Sequence, residues 1–137
     1  MNGVANGLYG GDLPNQINTP WIDFSEQSTI VGWGVYTNKQ IRYKQIGNIV
    51  YVMVSILGTS NSGTTTFTLP ILPKFGVAFS FGIHQDNGTF FISGTGLASL
   101  SGIVTCYKTV SSSNIGTQVT WTASGTKQIQ GQFFYEI

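Results

Sequence analysis

The chain has 137 residues, enough for one domain that buries about two-thirds of its unfolded surface. Only 8% of its residues are charged, against about 25% in an ordinary globular protein. Six basic and five acidic residues are spread singly and give a net charge of +1. Because phosphate neutralisation needs a clustered basic surface, this distribution excludes nucleic acid as a partner. A neutral surface rich in hydrogen-bonding groups instead suits adhesins, virion proteins and sugar-binding modules.

The N-terminal residues have neither the basic region nor the apolar run of a signal peptide, so we expect none. No segment approaches the length of a membrane span, and we expect no membrane insertion. Residues 1–20 are rich in Gly and Asn and lack a period of 2 or 3.6. They are either a flexible arm or an anchor that becomes ordered only against a partner. The folded domain is expected to be residues 21–137.

The strongest local signal is a hairpin. Two runs rich in β-branched and aromatic residues, Gln40–Ile46 and Ile49–Leu57, are separated only by the pair Gly47-Asn48. A third run, Thr64–Leu69, follows a loop of small polar residues and is stopped by Pro70. The sequence therefore predicts a three-stranded antiparallel meander.

The middle strand of this meander is apolar on both faces. Successive strand side chains point to opposite sides, and the two sets are Val50, Val52, Val54 and Ile56 against Ile49, Tyr51, Met53 and Leu57. An antiparallel strand with one solvated face should instead alternate apolar with polar residues. Two explanations stay open. The strand is internal to a monomer, or its second face is covered by a subunit, a loop or another sheet.

Strand signals continue to the C-terminus. Residues 75–83 split into a face of large apolar side chains and a face of small residues, Gly76, Ala78, Ser80 and Gly82. Further short strands are predicted at 21–24, 30–36, 89–93, 96–99, 103–110, 117–123 and 128–135, with an Asn87-Gly88 turn among them. No segment shows helical periodicity. These signals predict an all-β fold, an antiparallel β-sandwich or jelly roll.

Residues able to carry out catalysis or hold a metal are scarce. His84 is the only histidine and Cys106 the only cysteine, which excludes a multi-histidine or cysteine-cluster metal site. Cys106 lies in an apolar run and is expected to be buried. His84 and Asp86 fall at a predicted hairpin tip and are interpreted as solvated, while Asp23 and Glu26 form the nearest carboxylate pair. No nucleophile elbow or phosphate-binding glycine loop is present, so we expect no enzyme, no cofactor and no metal.

Binding is easier to support than catalysis. Three predicted loops, near residues 59–65, 85–89 and 111–116, carry hydroxyl and amide side chains. The candidate ligand-binding residues in them are Ser60, Asn61, Asp86, Asn87, Ser112 and Asn114. Three rings could present a face to a sugar or belong to the core, and the choice stays open for Tyr36, Tyr107 and Trp121.

Two stretches resemble a recurrent module of tailed-bacteriophage fibre and adhesin proteins. The first, residues 43–70, has a Tyr-basic-x-Ile-Gly turn, a hydrophobic strand, a Gly/Ser/Asn loop and a closing Leu-Pro. The second, residues 121–135, looks like the matching end of such domains. The resemblance implies a homotrimeric β-sandwich on a virion fibre. The candidate residues for the trimer interface are Val50, Val52, Val54, Ala78 and Ser80.

The function implied by the resemblance is that of a virion structural protein without enzymatic activity. It would be the head of a tail or capsid fibre and would attach to a cell-surface glycan or protein, with residues 1–20 anchoring it to other virion proteins. Two alternatives are a monomeric carbohydrate-binding module with an aromatic platform, and a capsid decoration protein whose arm threads into the lattice.

Overall fold

The computed structural model describes residues 17–108 and 121–137, and the regular structure in these ranges is entirely β. The strands are β1 (Ile22–Asp23), β2 (Trp33–Ile46), β3 (Ile49–Ser60), β4 (Thr66–Thr68), β5 (Val77–Asp86), β6 (Thr89–Ala98), β7 (Ile103–Lys108) and β8 (Thr126–Glu136). Every pairing between them is antiparallel. The prediction of an all-β antiparallel fold is confirmed. In the described ranges no helix is long and apolar enough to cross a membrane.

The eight strands form one sheet, in the order β1-β2-β3-β8-β5-β6-β7-β4. This sheet curls into a half-barrel. Its last strand returns toward the first strands, because Val31, just before β2, forms an isolated antiparallel bridge with Thr66 of β4. The two-sheet sandwich or jelly roll is not confirmed, since the described strands make a single continuous sheet.

The two turns predicted from sequence are both confirmed. β2 and β3 are joined at Gly47 and Asn48, and Gly47 has a φ of 58°. β5 and β6 are joined at Asn87 and Gly88, with φ values of 48° and 81°. Positive φ at both central residues, as at Asn87 and Gly88, is the requirement of a type I′ hairpin turn, whereas positive φ at the first central residue alone, as at Gly47, is that of a type II′ turn.

The predicted pairing of the third meander strand with β3 is wrong. β4 pairs with β7 and not with β3. The second neighbour of β3 is β8, which pairs with it from Ile49↔Glu136 to Thr59↔Thr126. A strand followed by a polar loop and another strand looks locally like a meander, but pairing is decided by which apolar faces can share a core.

β2 (Trp33–Ile46) is one strand where the sequence predicted two. Its register against β3 shifts twice, the second time between Tyr36 and Asn38. β3 contributes Gly58 at this irregularity, and a Cβ built there would lie 2.0 Å from the carbonyl oxygen of Val35. The two backbones approach too closely for any side chain, which explains the glycine.

The core fills the inside of the curl. The inner face of β3 buries its valines and Ile56, and β8 adds Ile129, Phe133 and Tyr135. From the far side of the curl come Phe67, Val104 and Cys106. Cys106 is 2% exposed, so its predicted burial is confirmed. Burying such apolar side chains contributes roughly 1.5–3 kcal/mol each.

The face split predicted for residues 75–83 holds only in part. Phe81 is buried as predicted, but Phe75 and Ile83 are 57% and 45% exposed. Beyond the exposed Gly82, β5 turns its opposite face inward, and His84 is 0% exposed. Two residues three apart, Phe81 and His84, therefore both point into the core, which a strict two-residue alternation does not allow.

We expect Gly58→Ala to lower the free energy of unfolding by about 1–3 kcal/mol, because the new methyl group forces apart two paired backbones. Urea denaturation followed by tryptophan fluorescence measures this change. Thr59→Ala is the matched control at the neighbouring exposed position and should stay within about 0.5 kcal/mol of the parent. Equal stability of the two variants would contradict the close backbone approach.

Candidate functional site

The outer face of β2, β3, β8 and β5, opposite the core, is the candidate functional surface, and we call it the outer face. Strand register arranges its side chains in three rows across the sheet. The rows are Gln40–Ser55–Gln130–Ile83, Arg42–Met53–Gln132 and Lys44–Tyr51–Phe134. Neighbours in a row lie about 4.5–5.5 Å apart at Cβ, so each row is one continuous surface.

One half of the outer face is an aromatic groove. Trp21, Tyr51 and Phe134 are 40%, 39% and 62% exposed around it, and the last two rings lie 5.9 Å apart. The groove has a volume of about 570 Å³. It opens because β5 pairs with β8 only between Ile83 and Asp86, so that the strands separate beyond this point.

The floor of the aromatic groove is rigid. The rings of Phe79 and Phe133 stack there with centroids 3.7 Å apart and planes 11° apart. Gly96 lies behind Phe79, and a Cβ at that glycine would come within 2.3 Å of the ring. Phe79 is thus held between a second ring and a bare backbone, and it fixes the shape of the groove.

The other half of the outer face is a polar groove of about 410 Å³. Its polar side chains are Gln40, Arg42, Ser55, Gln130 and Gln132. Met53 and Gln132 line both grooves, which therefore adjoin. The charge on the lining of the polar groove is a single guanidinium, and the rest of its polar chemistry is neutral.

The predicted interface residues on β3 need correction. Val50, Val52 and Val54 are 0%, 1% and 2% exposed within the single chain, so they cannot contact a second subunit. They belong to the core, because the curled sheet encloses this face of the strand. The apolar side chains that a partner can reach on β3 are on its other face, at Tyr51 and Met53, which are 39% and 45% exposed.

The two interface candidates on β5 are exposed. Ala78 lines the aromatic groove beside Phe134, and Ser80 follows on the same strand face. Together with Gly82, which lines the polar groove, they give β5 a flank of small side chains. The structure thus leaves these two residues available to a partner.

The loop candidates divide into exposed and structural residues. Asn61 and Asn87 are exposed, and Ser112 and Asn114 lie outside the described residues. Ser60 is 5% exposed, and its hydroxyl donates to a backbone carbonyl in the segment before β8 at 2.5 Å. The Ser60 hydroxyl therefore links the end of β3 to the segment before β8. Its assignment as a ligand-binding residue is corrected.

Asp86 is also a structural residue, since it is 5% exposed and paired with Lys108. Thr122 donates to it from the backbone N–H and from Oγ1, at 3.0 and 2.9 Å. Burial alone would raise the pKa of Asp86, but these donors lower it below the ordinary value. The assignment of Asp86 to a ligand site, and of His84 and Asp86 to a solvated tip, is wrong because the loop before β8 covers them.

His84 lies inside the same end of the half-barrel. Its imidazole packs edge-on against Trp121, with ring centroids 5.5 Å apart. Burial lowers the pKa of His84, which favours a neutral ring at pH 7. Trp121 is 4% exposed and donates from Nε1 to the Cys106 carbonyl at 2.8 Å, so it is a core ring and not a sugar platform.

Lys127 is the largest polar feature that the sequence analysis missed. It is 0% exposed, and its ammonium donates to the carbonyls of Gly32 and Ser62 at 3.1 and 2.8 Å and to Thr65 Oγ1 at 2.9 Å. Three donors thus meet three acceptors from two separate segments. Strand alternation gives a signal for this residue, since Lys127 shares the inward parity of the buried Ile129.

Two indole rings flank the Lys127 ammonium, Trp33 at 5.2 Å and Trp121 at 5.5 Å from their centroids. Such cation–π contacts are worth about 2 kcal/mol or more when desolvated. Burial lowers the pKa of Lys127 to about 8, so the amine is charged at neutral pH. We call Lys127, its three acceptors and these two rings the lysine cage.

The two carboxylates of the predicted pair near β1 each interact with a neighbouring side chain. Asp23 accepts hydrogen bonds from the N–H and hydroxyl of Ser25, and these lower its pKa. Glu26 pairs with Lys39 at 2.8 Å on the surface. Among the described residues no three His, Cys, Asp or Glu side chains gather to hold a metal ion.

Of the remaining aromatic candidates, Tyr36 is 37% exposed and lies under the Lys39 ammonium at 5.4 Å. Tyr107 is half-buried. Neither ring lines either groove of the outer face.

The sequence matches no protein-family model, no curated protein and no solved structure. The chain's own residues and their arrangement are therefore the basis on which a function is proposed.

We expect Lys127→Met to lower the free energy of unfolding by about 3 kcal/mol, because three buried acceptors lose their donor. Thermal and urea unfolding measure the loss. Lys74→Met is the matched control, since Lys74 makes a surface ion pair with Glu136 and should contribute less than about 1 kcal/mol. A Lys127→Met protein as stable as the control would show that the lysine cage does not hold the fold.

We also expect the stability gap between the parent and Lys127→Met to widen as the pH rises from about 8 toward 10.5. Burial lowers the folded pKa of Lys127 to about 8 from an ordinary 10.5, so in this window the unfolded chain binds more protons than the folded chain. Unfolding then becomes costlier with pH, by at most about 1.4 kcal/mol per unit. Urea titrations from pH 7.5 to 10 test the sign, and a gap that narrows would overturn it.

Proposed function

We propose that this chain is the head domain of a bacteriophage virion fibre, a structural protein without enzymatic activity that works as a homotrimer in host attachment. The observation that carries the proposal is the exposed outer face. Tyr51, Met53 and Phe134 are partly exposed on the neighbouring strands β3 and β8, and Trp21 is partly exposed just before β1, although burying their remaining apolar surface would be favourable. A second copy of the chain supplies the missing cover.

The low charge of the chain supports assembly. With 8% charged residues, its surfaces can meet with little desolvation of ions, which is the main cost of burying polar surface. The small-residue flank of β5, with Ala78 and Ser80, permits close approach of another subunit.

The chain also has two distinct ends, as an anchored fibre head requires. At one end Gly47 donates to the Ile17 carbonyl at 2.7 Å, and Asn18 forms a bridge with Ile46, so Ile17 and Asn18 lie against the β2–β3 turn. Asn61 and Asn87 lie at the other end of β3. We assign the first end to attachment on other virion proteins, through the N-terminal arm of residues 1–20. The second end is assigned to a cell-surface glycan or protein.

A second candidate is a carbohydrate-binding module, favoured by the aromatic groove. Exposed rings at Trp21, Tyr51 and Phe134 beside the Gln132 amide provide the apolar faces and hydrogen-bonding groups that a sugar ring uses. In this case the protein is a monomer, and the groove binds the sugar directly.

We expect light scattering on a sizing column to give a mass of about three times 14.8 kDa, since three copies bury their outer faces. Phe134→Lys should shift the protein to the monomer mass at micromolar concentration, because the charge would be buried at the interface. Phe90→Lys is the matched control, since Phe90 is 65% exposed at the β5–β6 hairpin away from the grooves.

A parent protein that is monomeric at high concentration would contradict the fibre-head proposal. If that monomer then binds saccharides on a glycan array and Phe134→Lys abolishes the binding, the carbohydrate-binding module replaces it.

A further inference from the structure

From Tyr51 to Leu57 on β3, and at the residues of β8 that pair with them, the outer face carries uncharged side chains, most of which can pair with copies of themselves. These outward residues are Tyr51, Met53, Ser55 and Leu57, and Gln128, Gln130, Gln132 and Phe134. The charged Glu136 lies at the end of β8, where it pairs with Lys74. Glutamine amides and hydroxyl groups both donate and accept hydrogen bonds. Met, Leu and Phe pack against their own kind without regard to sign or direction.

This chemistry suits the axis of a symmetric oligomer. Each residue near such an axis meets its own copies, so a charged side chain there would face identical charges and be repelled. The charged residues of the three rows, Arg42 and Lys44, both lie on β2, at one flank. The centre of the face is free of charge, and Gln132 lies there between the two grooves.

We propose that Gln130 and Gln132 lie on the threefold axis of a homotrimer of this chain, where their amides hydrogen-bond to their counterparts in the other two copies. Tyr51, Met53 and Phe134 close an apolar ring around this contact. The inference rests on the proposed fibre-head function and identifies the surface through which its subunits assemble.

Threefold packing also explains why the two edges of the outer face differ, with long charged side chains on β2 and small side chains on β5. Around a threefold axis the contact is heterologous, so that the β2 flank of one copy meets the β5 flank of the next. Arg42 and Lys44 then lie over Ala78, Ser80 and Gly82, whose small side chains leave room for long ones.

The outer face is large enough for contacts with two neighbouring copies. β3 has 12 residues and therefore runs about 40 Å, and four strands would span about 19 Å in the hydrogen-bonding direction, although β5 lies beside β8 only from Ile83 to Asp86. The face thus has at most roughly 800 Å², the area that one partner contributes to a standard specific interface, and around a threefold axis this area is shared between two neighbours. Other copies of this chain are the occupants that fit the face, because its neutral side chains complement themselves.

Cysteine cross-linking of the full chain tests the axis. Amides that meet across the axis place the Cβ atoms of Gln132 farther apart than the roughly 3.5–4.5 Å that a disulfide requires, so Gln132→Cys should be trapped as a covalent dimer within the trimer by a short bismaleimide cross-linker. The native Cys106 is buried, and burial raises the pKa of its thiol, so it does not interfere. Phe90→Cys, exposed on the β5–β6 hairpin, is the control and should not be trapped.

The outcomes separate this inference from the proposed function. A trimer in which Gln132→Cys is trapped and Phe90→Cys is not supports both. A trimer in which the two variants are trapped equally poorly overturns the axis and leaves the fibre head standing. A monomeric parent overturns both, and a trapped twofold dimer overturns the threefold axis.

Gln132→Glu gives a second measurement that leaves side-chain size unchanged. Three identical carboxylates would meet at the axis, so we expect the concentration for half-dissociation to rise roughly tenfold or more at pH 7. Assembly should recover at a pH low enough to protonate the carboxylates. Gln27→Glu, at an exposed position outside the grooves, should leave assembly unchanged, and equal behaviour of the two variants would overturn the axis.

Discussion

The half-barrel depends on one buried ammonium. Lys127 reaches from β8 to the segment before β2 and to the loop between β3 and β4. That segment pairs with β4 through the isolated bridge of Val31 with Thr66 and with the loop through a hydrogen bond from the Asn61 N–H to the Gly32 carbonyl. A curled sheet with an open seam would let water into its core. The lysine cage closes this seam with three hydrogen bonds and two indole faces, and its donors and acceptors are fully matched.

Because closure of the half-barrel buries one face of β3, it determines which side chains form the outer face. Once the valines of β3 are enclosed, the strand's second apolar set, with Tyr51 and Met53, has no place inside the chain. The groove floor is made rigid by the stacked Phe79 and Phe133, so this surface cannot collapse inward. The result is an apolar surface on a rigid sheet, without charge at its centre, and surfaces of this kind mark interaction sites.

Local sequence patterns were sufficient for the strands and turns. Gly47-Asn48 and Asn87-Gly88 need backbone angles that few other residue pairs adopt, so their turns could be located without knowledge of the fold. The pairing of β3 with β8 could not, because it joins residues up to 87 positions apart and depends on which faces share a core. The doubly apolar pattern of β3 could not tell which face was internal, and the structure buries the valines and leaves Tyr51 and Met53 exposed.

The site was harder to predict than the fold, because burial changes the role of a polar residue. The sequence predicts a solvated loop residue at Asp86, yet Lys108 and Thr122 enclose it. Lys127 is buried, although a lysine on a strand is ordinarily solvated. In a chain with eleven charged residues, three of them, Asp86, Lys108 and Lys127, stabilise one end of the half-barrel from inside or at its margin. This placement leaves few charges for the surface, and the neutral outer face follows from it, with amides, hydroxyl groups and rings in the positions where charges would otherwise lie.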